Sequence, residues 1–230
     1  AAELEQRKLS LLALINNAGY GLVCFQEKLD QQAVKNIYDV NVFGLLNTTN
    51  AFLPLLRKYN PGNVSTTKLN AKVINISSVV GKFSMASAGV YASTKYAVEA
   101  LTHGYRGELK GMGIDVVSVQ PGLIGSEFHS KTDDFTHSAL KGKPEVNQYY
   151  DAAQNILLEG AKNRTGHSPC SVVVNVLEDV ICSPNPLPSY VAGKDGHILQ
   201  ILLSWVWPDF FDLAIKAAFT PLATFFSKDK

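Results

Sequence analysis

The sequence lacks the features that would indicate a disulfide framework, a metal site or nucleic-acid binding. Its three cysteines, Cys24, Cys170 and Cys182, form no Cys-x-x-Cys pair, which indicates a reducing compartment and favours a cytoplasmic location. The five histidines include no His-x-x-x-His pair, so no metal site is predicted. The net charge is only +1 and no block of Lys and Arg occurs, which argues against nucleic acid as the main ligand.

The chain does contain the pattern of an α/β domain. Of its 230 residues, 46% are apolar and 18% are charged, a globular composition. Apolar or β-branched runs at 11–15, 71–78 and 114–122 predict strands, and helical periodicity at 29–58 and 90–110 predicts helices between them. Crossovers of this length imply a doubly wound parallel sheet, with the active site at the carboxyl ends of the strands.

The clearest chemical motif is Tyr91 and Lys95, four residues apart on the same face of the predicted helix 90–110. A phenol has a pKa of about 10, and bringing it near 7 requires about 4 kcal/mol of phenolate stabilisation. An ammonium group at about 4 Å supplies an interaction of that order. Such a pair predicts general acid/base catalysis. Tyr190 and Lys194 repeat the spacing, but "SPNPLP" precedes them and Gly193 lies between them, so we interpret this second match as a decoy.

Further motifs occur in a fixed order around the first pair. Asn-Asn-Ala-Gly at 16–19, Asn-x-x-Gly at 41–44, Ser78, the Tyr-x-x-x-Lys motif and Pro121-Gly122 follow one another. This combination resembles the short-chain dehydrogenase/reductase family, in its compact single-domain branch, over most of residues 10–126. The expected function is that of an NAD(P)-dependent oxidoreductase.

The resemblance implies a role for each catalytic candidate. Tyr91 would be the proton donor or acceptor, and Lys95 would lower its pKa and hydrogen-bond the nicotinamide ribose. Ser78 would orient and polarise the substrate, whereas Asn41 would hold a water that relays protons through Lys95. Simpler explanations remain open, namely an incidental helix residue at Asn41 and a solvated strand end at Ser78.

The same resemblance assigns contacts to a cofactor, NAD or NADP. Asn17, Ala18 and Gly19 would line its adenosine side, although Asn17 also fits an ordinary turn residue. The nicotinamide end would be contacted, besides Tyr91 and Lys95, by Pro121, Gly122, Ile124 and Ser126. The Pro-Gly pair is at the same time expected to end its strand in a turn.

The C-terminal part resembles family members that act on steroids, retinoids and other lipid-like alcohols. We therefore expect a small hydrophobic substrate, a secondary or allylic alcohol or its carbonyl, enclosed by a loop at 124–143 and an apolar tail. Residues 198–208 are too short to span a bilayer. Two interpretations of this tail stay open: a helix pair that covers the substrate cleft, or peripheral membrane attachment through Trp205 and Trp207. A homo-oligomer is compatible with the sequence.

One departure from the family concerns the start of the chain. The family's Gly-rich turn after the first strand is absent, and so is the residue that selects NAD or NADP. We therefore expect a single partial domain over 1–230, truncated at its N-terminus and with a hydrophobic helical extension at 195–230, whose isolated chain binds NAD(P) weakly. Two alternatives remain: a degenerate non-catalytic binding fragment and a nucleotide-sugar epimerase-type member. The intact Asn, Ser, Tyr and Lys set argues against the first, and the Asn-Asn-Ala-Gly motif argues against the second.

Overall fold

The computed structural model describes residues 1–59, 69–140, 167–194 and 196, in which strands and helices alternate. The described strands are β1 Ala13–Asn16, β2 Ala71–Ile76, β3 Ile114–Pro121 and β4 Ser189–Ala192. The described α-helices are α1 Ala2–Gln6, α2 Gln31–Tyr38, α3 Leu45–Arg57, α4 Gly89–Leu109, α5 Phe128–Leu140 and α6 Ser171–Cys182. A π-helical turn, Asp39–Gly44, joins α2 to α3 directly. Short 3-10 helices lie at Gln26–Lys28, Val79–Gly81 and Lys110–Met112.

The described strands form one parallel sheet in the order β1-β2-β3-β4. The register places Ala13 beside Lys72 and Ala71 beside Ile114. Because all three pairings are parallel, the carboxyl ends of the strands lie along one edge of the sheet. The sequence-based expectation of a parallel α/β fold is thereby confirmed.

Helices cover both faces of the central strands. Val73 and Val116 pack on one face, in a cluster with Leu56 of α3 and Leu109 of α4. Their neighbours in sequence, Ile74 and Val117, turn to the other face and pack with Val180 of α6. Successive side chains of a strand point to opposite faces, so a strand buried on both faces reads as a continuous apolar run. This two-sided burial explains why β2 and β3 are visible in the sequence.

The structure differs from the sequence-based expectation in three places. The predicted helix 29–58 is divided into α2, the π-helical turn and α3. The side chain of Asp30 accepts a hydrogen bond from the Ala33 amide at 2.7 Å, which fixes the start of α2. The segment 124–143, predicted as a loop, contains α5. Helix α6 was not predicted.

Two predicted segments lie mostly outside the described residues. They are the surface loop at 59–70 and the C-terminal extension at 195–230, including the apolar run at 198–208. In the part of the chain that the structure describes, no helix combines the length and the apolar character needed to cross a bilayer.

Candidate active site

The site candidates come together where the strands end. Ser78 follows β2, Gly19 follows β1, and Pro121 is the last residue of β3. Helix α4 begins above the same edge, and its first two turns bring Tyr91 and Lys95 to these strand ends. The parallel order thus places residues that are distant in sequence at one location, as expected for a fold of this kind.

Tyr91 is the phenol of the site, and its hydroxyl is hydrogen-bonded to Ser78. Burial raises the pKa of Tyr91 above its usual value, while the hydrogen bond with Ser78 opposes the rise. The ammonium nitrogen of Lys95 lies 5.9 Å from the centre of the Tyr91 ring. Phe128, from the first turn of α5, packs against the same ring with the centroids 5.7 Å apart.

Lys95 is itself buried, with only 5% of its surface exposed. Its Nζ donates a hydrogen bond of 2.9 Å to the carbonyl oxygen of Ile76, the last residue of β2. Burial lowers the pKa of Lys95 to about 8, and the negative charge of Glu99 acts in the opposite direction. Burial disfavours the charged form of both groups and raises the pKa of Tyr91 overall, and a lowering of that pKa by Lys95 stays a prediction.

Asn41 lies in the π-helical turn and is almost fully buried, with 2% of its surface exposed. Its Nδ2 donates to the carbonyl oxygen of Tyr20 at 2.9 Å and to Oγ1 of Thr94 at 3.0 Å, and its Oδ1 accepts from the amide of Tyr20 at 3.0 Å. Both amide hydrogens are thus engaged with protein groups. The side chain anchors the segment after β1 to α4, and holding a water stays a prediction. Interruptions of this type in helices are frequent at functional sites.

Gly19 occupies the space between these groups. A Cβ at this position would lie 3.1 Å from Oδ1 of Asn41 and 3.7 Å from Nζ of Lys95. A side chain would therefore press on the Asn41 carboxamide and narrow the approach to Lys95. The two residues before it, Asn17 and Ala18, are exposed at the end of β1.

Ser78 begins the short helix Val79–Gly81. Its Oγ accepts from the amide of Val80 at 3.3 Å and donates to the carbonyl oxygen of Pro121 at 3.4 Å. The hydroxyl therefore connects the ends of β2 and β3 while it contacts Tyr91. Gly122, which follows Pro121, donates from its amide to the carbonyl oxygen of Ala192 on β4 at 2.9 Å.

Ile124 and Ser126 lie on the segment between β3 and α5. Ile124 forms an isolated parallel bridge with Ser168. The Oγ of Ser126 accepts from the amide of Phe128, the first residue of α5, at 3.3 Å, which is a local side-chain-to-backbone turn. These contacts make Ser126 a structural residue of this turn, and its contact with a cofactor stays a prediction.

The second Tyr-x-x-x-Lys match does not lie on a single helix, because its tyrosine is on a strand and Gly193 separates that strand from Lys194. Tyr190 is part of β4, and its hydroxyl accepts a hydrogen bond from the amide of Leu187 at 2.8 Å. Its ring packs with the apolar cluster between the sheet and α6. The hydroxyl and the ring of Tyr190 are therefore engaged in contacts at β4, whereas Tyr91 faces Ser78 and Lys95.

Sequence reasoning missed two buried polar networks beside the site. Asn16 donates to Thr49 at 2.9 Å and to Asn75 at 2.8 Å, and Asn75 in turn donates to Thr102 of α4 at 2.9 Å. The second network surrounds Glu99 on α4. The Asn-Asn doublet at the end of β1 is the signal that could have indicated the first network.

Comparisons with known proteins show which family the chain resembles. A family model described as short chain dehydrogenase matches residues 1–136. Retinol dehydrogenase 7 of Mus musculus is 31% identical over 205 residues, which cover 85% of this chain and 60% of that protein. Retinol dehydrogenase 16 of Homo sapiens is 31% identical over 225 residues, 94% of this chain and 66% of that protein. The chain thus spans less than two thirds of the length of either relative.

Solved structures show the same fold. A short chain dehydrogenase/reductase from Burkholderia phymatum, determined in complex with NAD, superposes with a TM-score of 0.70 at 20% identity, over 88% of this chain and 67% of that one. A short-chain dehydrogenase from Streptomyces avermitilis gives a TM-score of 0.65 at 21% identity, over 100% of this chain and 75% of that one. Because the family model matches more than half of the chain, residues 1–136, the chain belongs to the short-chain dehydrogenase family.

Proposed function

We propose that this chain carries the catalytic centre of an NAD(P)-dependent oxidoreductase that interconverts a hydrophobic secondary or allylic alcohol and its carbonyl compound. The observation that supports this most directly is the contact of Tyr91 with Ser78, with Lys95 beside the Tyr91 ring. Family membership and the similarity to retinol dehydrogenases support the same reaction.

The residues present fit the nicotinamide half of such a cofactor. The absence of a Cβ at Gly19 keeps the approach to Lys95 open, since a methyl group there would lie 3.7 Å from Nζ. We propose that Lys95 holds the ribose hydroxyls next to the nicotinamide, and that Gly19 and Gly122 allow the close approach of the cofactor to the backbone. NAD(P) would supply or accept the hydride, and the protein would supply orientation and the proton.

For reduction of a carbonyl, Tyr91 acts as the proton donor. Because burial raises the pKa of Tyr91, the phenol is neutral at pH 7 and carries the proton that the carbonyl oxygen needs. Ser78 is placed to hydrogen-bond the same oxygen. When the proton leaves, Lys95 can stabilise the phenolate, because below pH 8 most of its amine is charged. In oxidation of the alcohol the proton moves in the opposite direction.

The function is tested by comparing two matched tyrosine variants in the natural protein. Tyr91→Phe should lower kcat by about 100-fold or more, because it removes the general acid, while the affinity for NAD(P) stays nearly unchanged. Tyr190→Phe removes a hydroxyl of the same kind from β4 and should leave kcat within a factor of about two, since a lost hydrogen bond of about 1 kcal/mol affects only stability there. Loss of activity in Tyr190→Phe with activity retained in Tyr91→Phe would show that the wrong pair has been chosen.

The substrate class is supported by the apolar surroundings of Tyr91. Phe128 packs on its ring, and Phe135 of the same helix stacks on Tyr20 with the centroids 4.1 Å apart. An apolar wall favours lipid-like substrates over hydrated ones, at about 25 cal/mol per Å² of buried apolar area. In a panel assay, retinoid, steroid and long-chain alcohols should show a higher kcat/KM than sugars and small hydroxy acids. A higher value for the sugars would contradict the proposal.

The tail at 198–208 belongs to this proposal but lies outside the described residues. Its apolar run with Trp205 and Trp207 supports either a cover for the substrate or peripheral attachment to a membrane. Either role suits an enzyme that takes a lipid-like alcohol.

A further inference from the structure

Glu99 is a buried carboxylate that the proposed reaction does not use. It lies on α4 one turn after Lys95, and only 4% of its surface is exposed. The Ser118 hydroxyl donates to its Oε1, and Nε2 of Gln120 donates to its Oε2 at 3.0 Å. The ammonium of Lys82 lies 2.9 Å from the same Oε2. A carboxylate is rarely buried without a partner, and this one has several.

The partners of Glu99 belong to segments that carry the site. Ser118 and Gln120 lie on β3, just before the strand ends at Pro121. Ser77, directly before Ser78, also hydrogen-bonds Glu99. A Cβ at Gly81 would lie 2.9 Å from Oγ of Ser77 and 3.1 Å from Cγ of Glu99, so the turn after β2 packs closely on this network.

We propose that Glu99 is a positioning residue for Lys95: its carboxylate fixes α4 against the ends of β2 and β3 and holds the lysine in its ammonium form. The inference rests on the proposed function, because Lys95 matters only if the Tyr91 phenol is the proton donor. It adds a residue outside the Asn, Ser, Tyr and Lys set.

The charges around the pair are arranged consistently with this role. Burial pushes the pKa of Glu99 upward, but hydrogen bonds from Ser118, Ser77 and Lys82 and the charge of Lys82 outweigh burial, so the carboxyl is ionised. Glu99 is the charged group among the described residues that raises the pKa of Lys95.

Charged groups on the other elements packed against α4 act elsewhere. Asp39 of the π-helical turn acts on Tyr20, and Asp115 at the start of β3 pairs with Lys72. Among the described residues, Glu99 is therefore the carboxylate whose charge favours the ammonium form of Lys95.

The test measures the titration of Lys95 directly in the natural protein, by ¹³C NMR of protein labelled at the lysine Cε, with the signal assigned by its loss in Lys95→Met. Glu99→Gln keeps the size of the side chain and removes its charge. The pKa of Lys95, about 8 in the wild type, should then fall by about one pH unit. If Glu99 served only to pack the helix, its replacement would loosen the site, admit water and raise the pKa of Lys95 towards its usual value.

Lys82→Met is the matched variant that should shift the pKa of Lys95 in the opposite direction. It removes the cation that faces Glu99, so the pKa of Lys95 should rise. The Lys82 side chain is 41% exposed, so its replacement removes less packing than a replacement of the buried Glu99. An unchanged or raised pKa in Glu99→Gln, or an unchanged or lowered one in Lys82→Met, would overturn the inference. Because the readout needs no turnover, its failure is distinct from a failure of the Tyr91→Phe experiment, which tests the reaction itself.

Discussion

Replacement of Asn41 by alanine tests the claim that this side chain anchors the segment after β1 to α4. The substitution removes the two hydrogen bonds to the backbone of Tyr20 and the one to Thr94, while the backbone of the π-helical turn is kept. Nothing in the described contacts of Tyr20 replaces the carboxamide, so its amide and carbonyl groups lose their partners together.

The expected loss of stability follows from these contacts. A buried backbone group left without a partner costs about 1–3 kcal/mol, and because Tyr20 is only partly buried the lower end applies, about 1 kcal/mol for each group. The lost bond to Thr94 adds about 0.5 kcal/mol, since Thr94 still donates to the carbonyl oxygen of Tyr91. Alanine is the better helix former, which returns about 0.5 kcal/mol. The free energy of unfolding should therefore fall by about 2 kcal/mol.

The assay is urea unfolding at 25 °C followed by far-UV circular dichroism, with the denaturant slope compared as a check on the unfolded state. Asn47→Ala is the control, because Asn47 is an exposed asparagine on the following helix. It should change the free energy of unfolding by less than about 0.5 kcal/mol. If Asn41→Ala were equally mild, the carboxamide would not be an anchor, and Asn41 would be free to serve another role such as holding a water.

Two further perturbations probe the same site. Gly19→Ala should lower kcat by about 10-fold or more, since its methyl group would press on Asn41 and narrow the approach to Lys95. The control is Gly104→Ala, whose methyl group would meet open space on α4. It should leave kcat unchanged and raise the free energy of unfolding by about 0.5–1 kcal/mol. The lowered pKa of Lys95 means that the unfolded chain binds one more proton between about pH 8 and 10.5, so wild-type stability should rise with pH in that window. Lys95→Met, measured by the same unfolding assay, should lack this rise, and an identical pH profile would refute the assignment.

The motif residues of the site could be predicted from the sequence because their chemistry requires fixed spacing. Ser78, Tyr91 and Lys95 were all placed correctly relative to the strand ends and α4. The proposed chemistry requires the hydroxyls of Ser78 and Tyr91 to lie close to the amine of Lys95. In a parallel sheet the carboxyl ends of the strands lie along one edge, which brings such groups together. The pKa of Tyr91 could not be predicted in the same way, since it depends on burial, which the spacing does not reveal.

Helix α5 was missed because its buried face is polar. Its buried residues, Thr132, Thr136 and Leu140, recur every four positions, but two of them are threonines. Their hydroxyls accept hydrogen bonds of 3.2 Å from the amides of Gly21 and Val23. A search for apolar periodicity does not detect a helix that packs through such bonds. Glu99 escaped notice for the same reason, because a charged residue on a helix is normally assigned to the solvent face.

The buried face of α4 shows how this polar packing serves the site. Along one stripe of the helix, with spacings of three or four residues, each side chain bonds to the sheet or to a strand end: Tyr91 to Ser78, Lys95 to Ile76, Glu99 to Ser118, Thr102 to Asn75, and Arg106 to Val116. Apolar side chains would allow α4 to slide or rotate slightly against the sheet, because dispersion contacts have little direction. Hydrogen bonds at successive turns resist such movement, since each weakens as its distance lengthens or its angle departs from linearity. The helix that carries Tyr91, the proposed proton donor, is thus fixed both in its rotation and in its position along its axis, and the proposed acid catalysis by a positioned phenol would require this constraint.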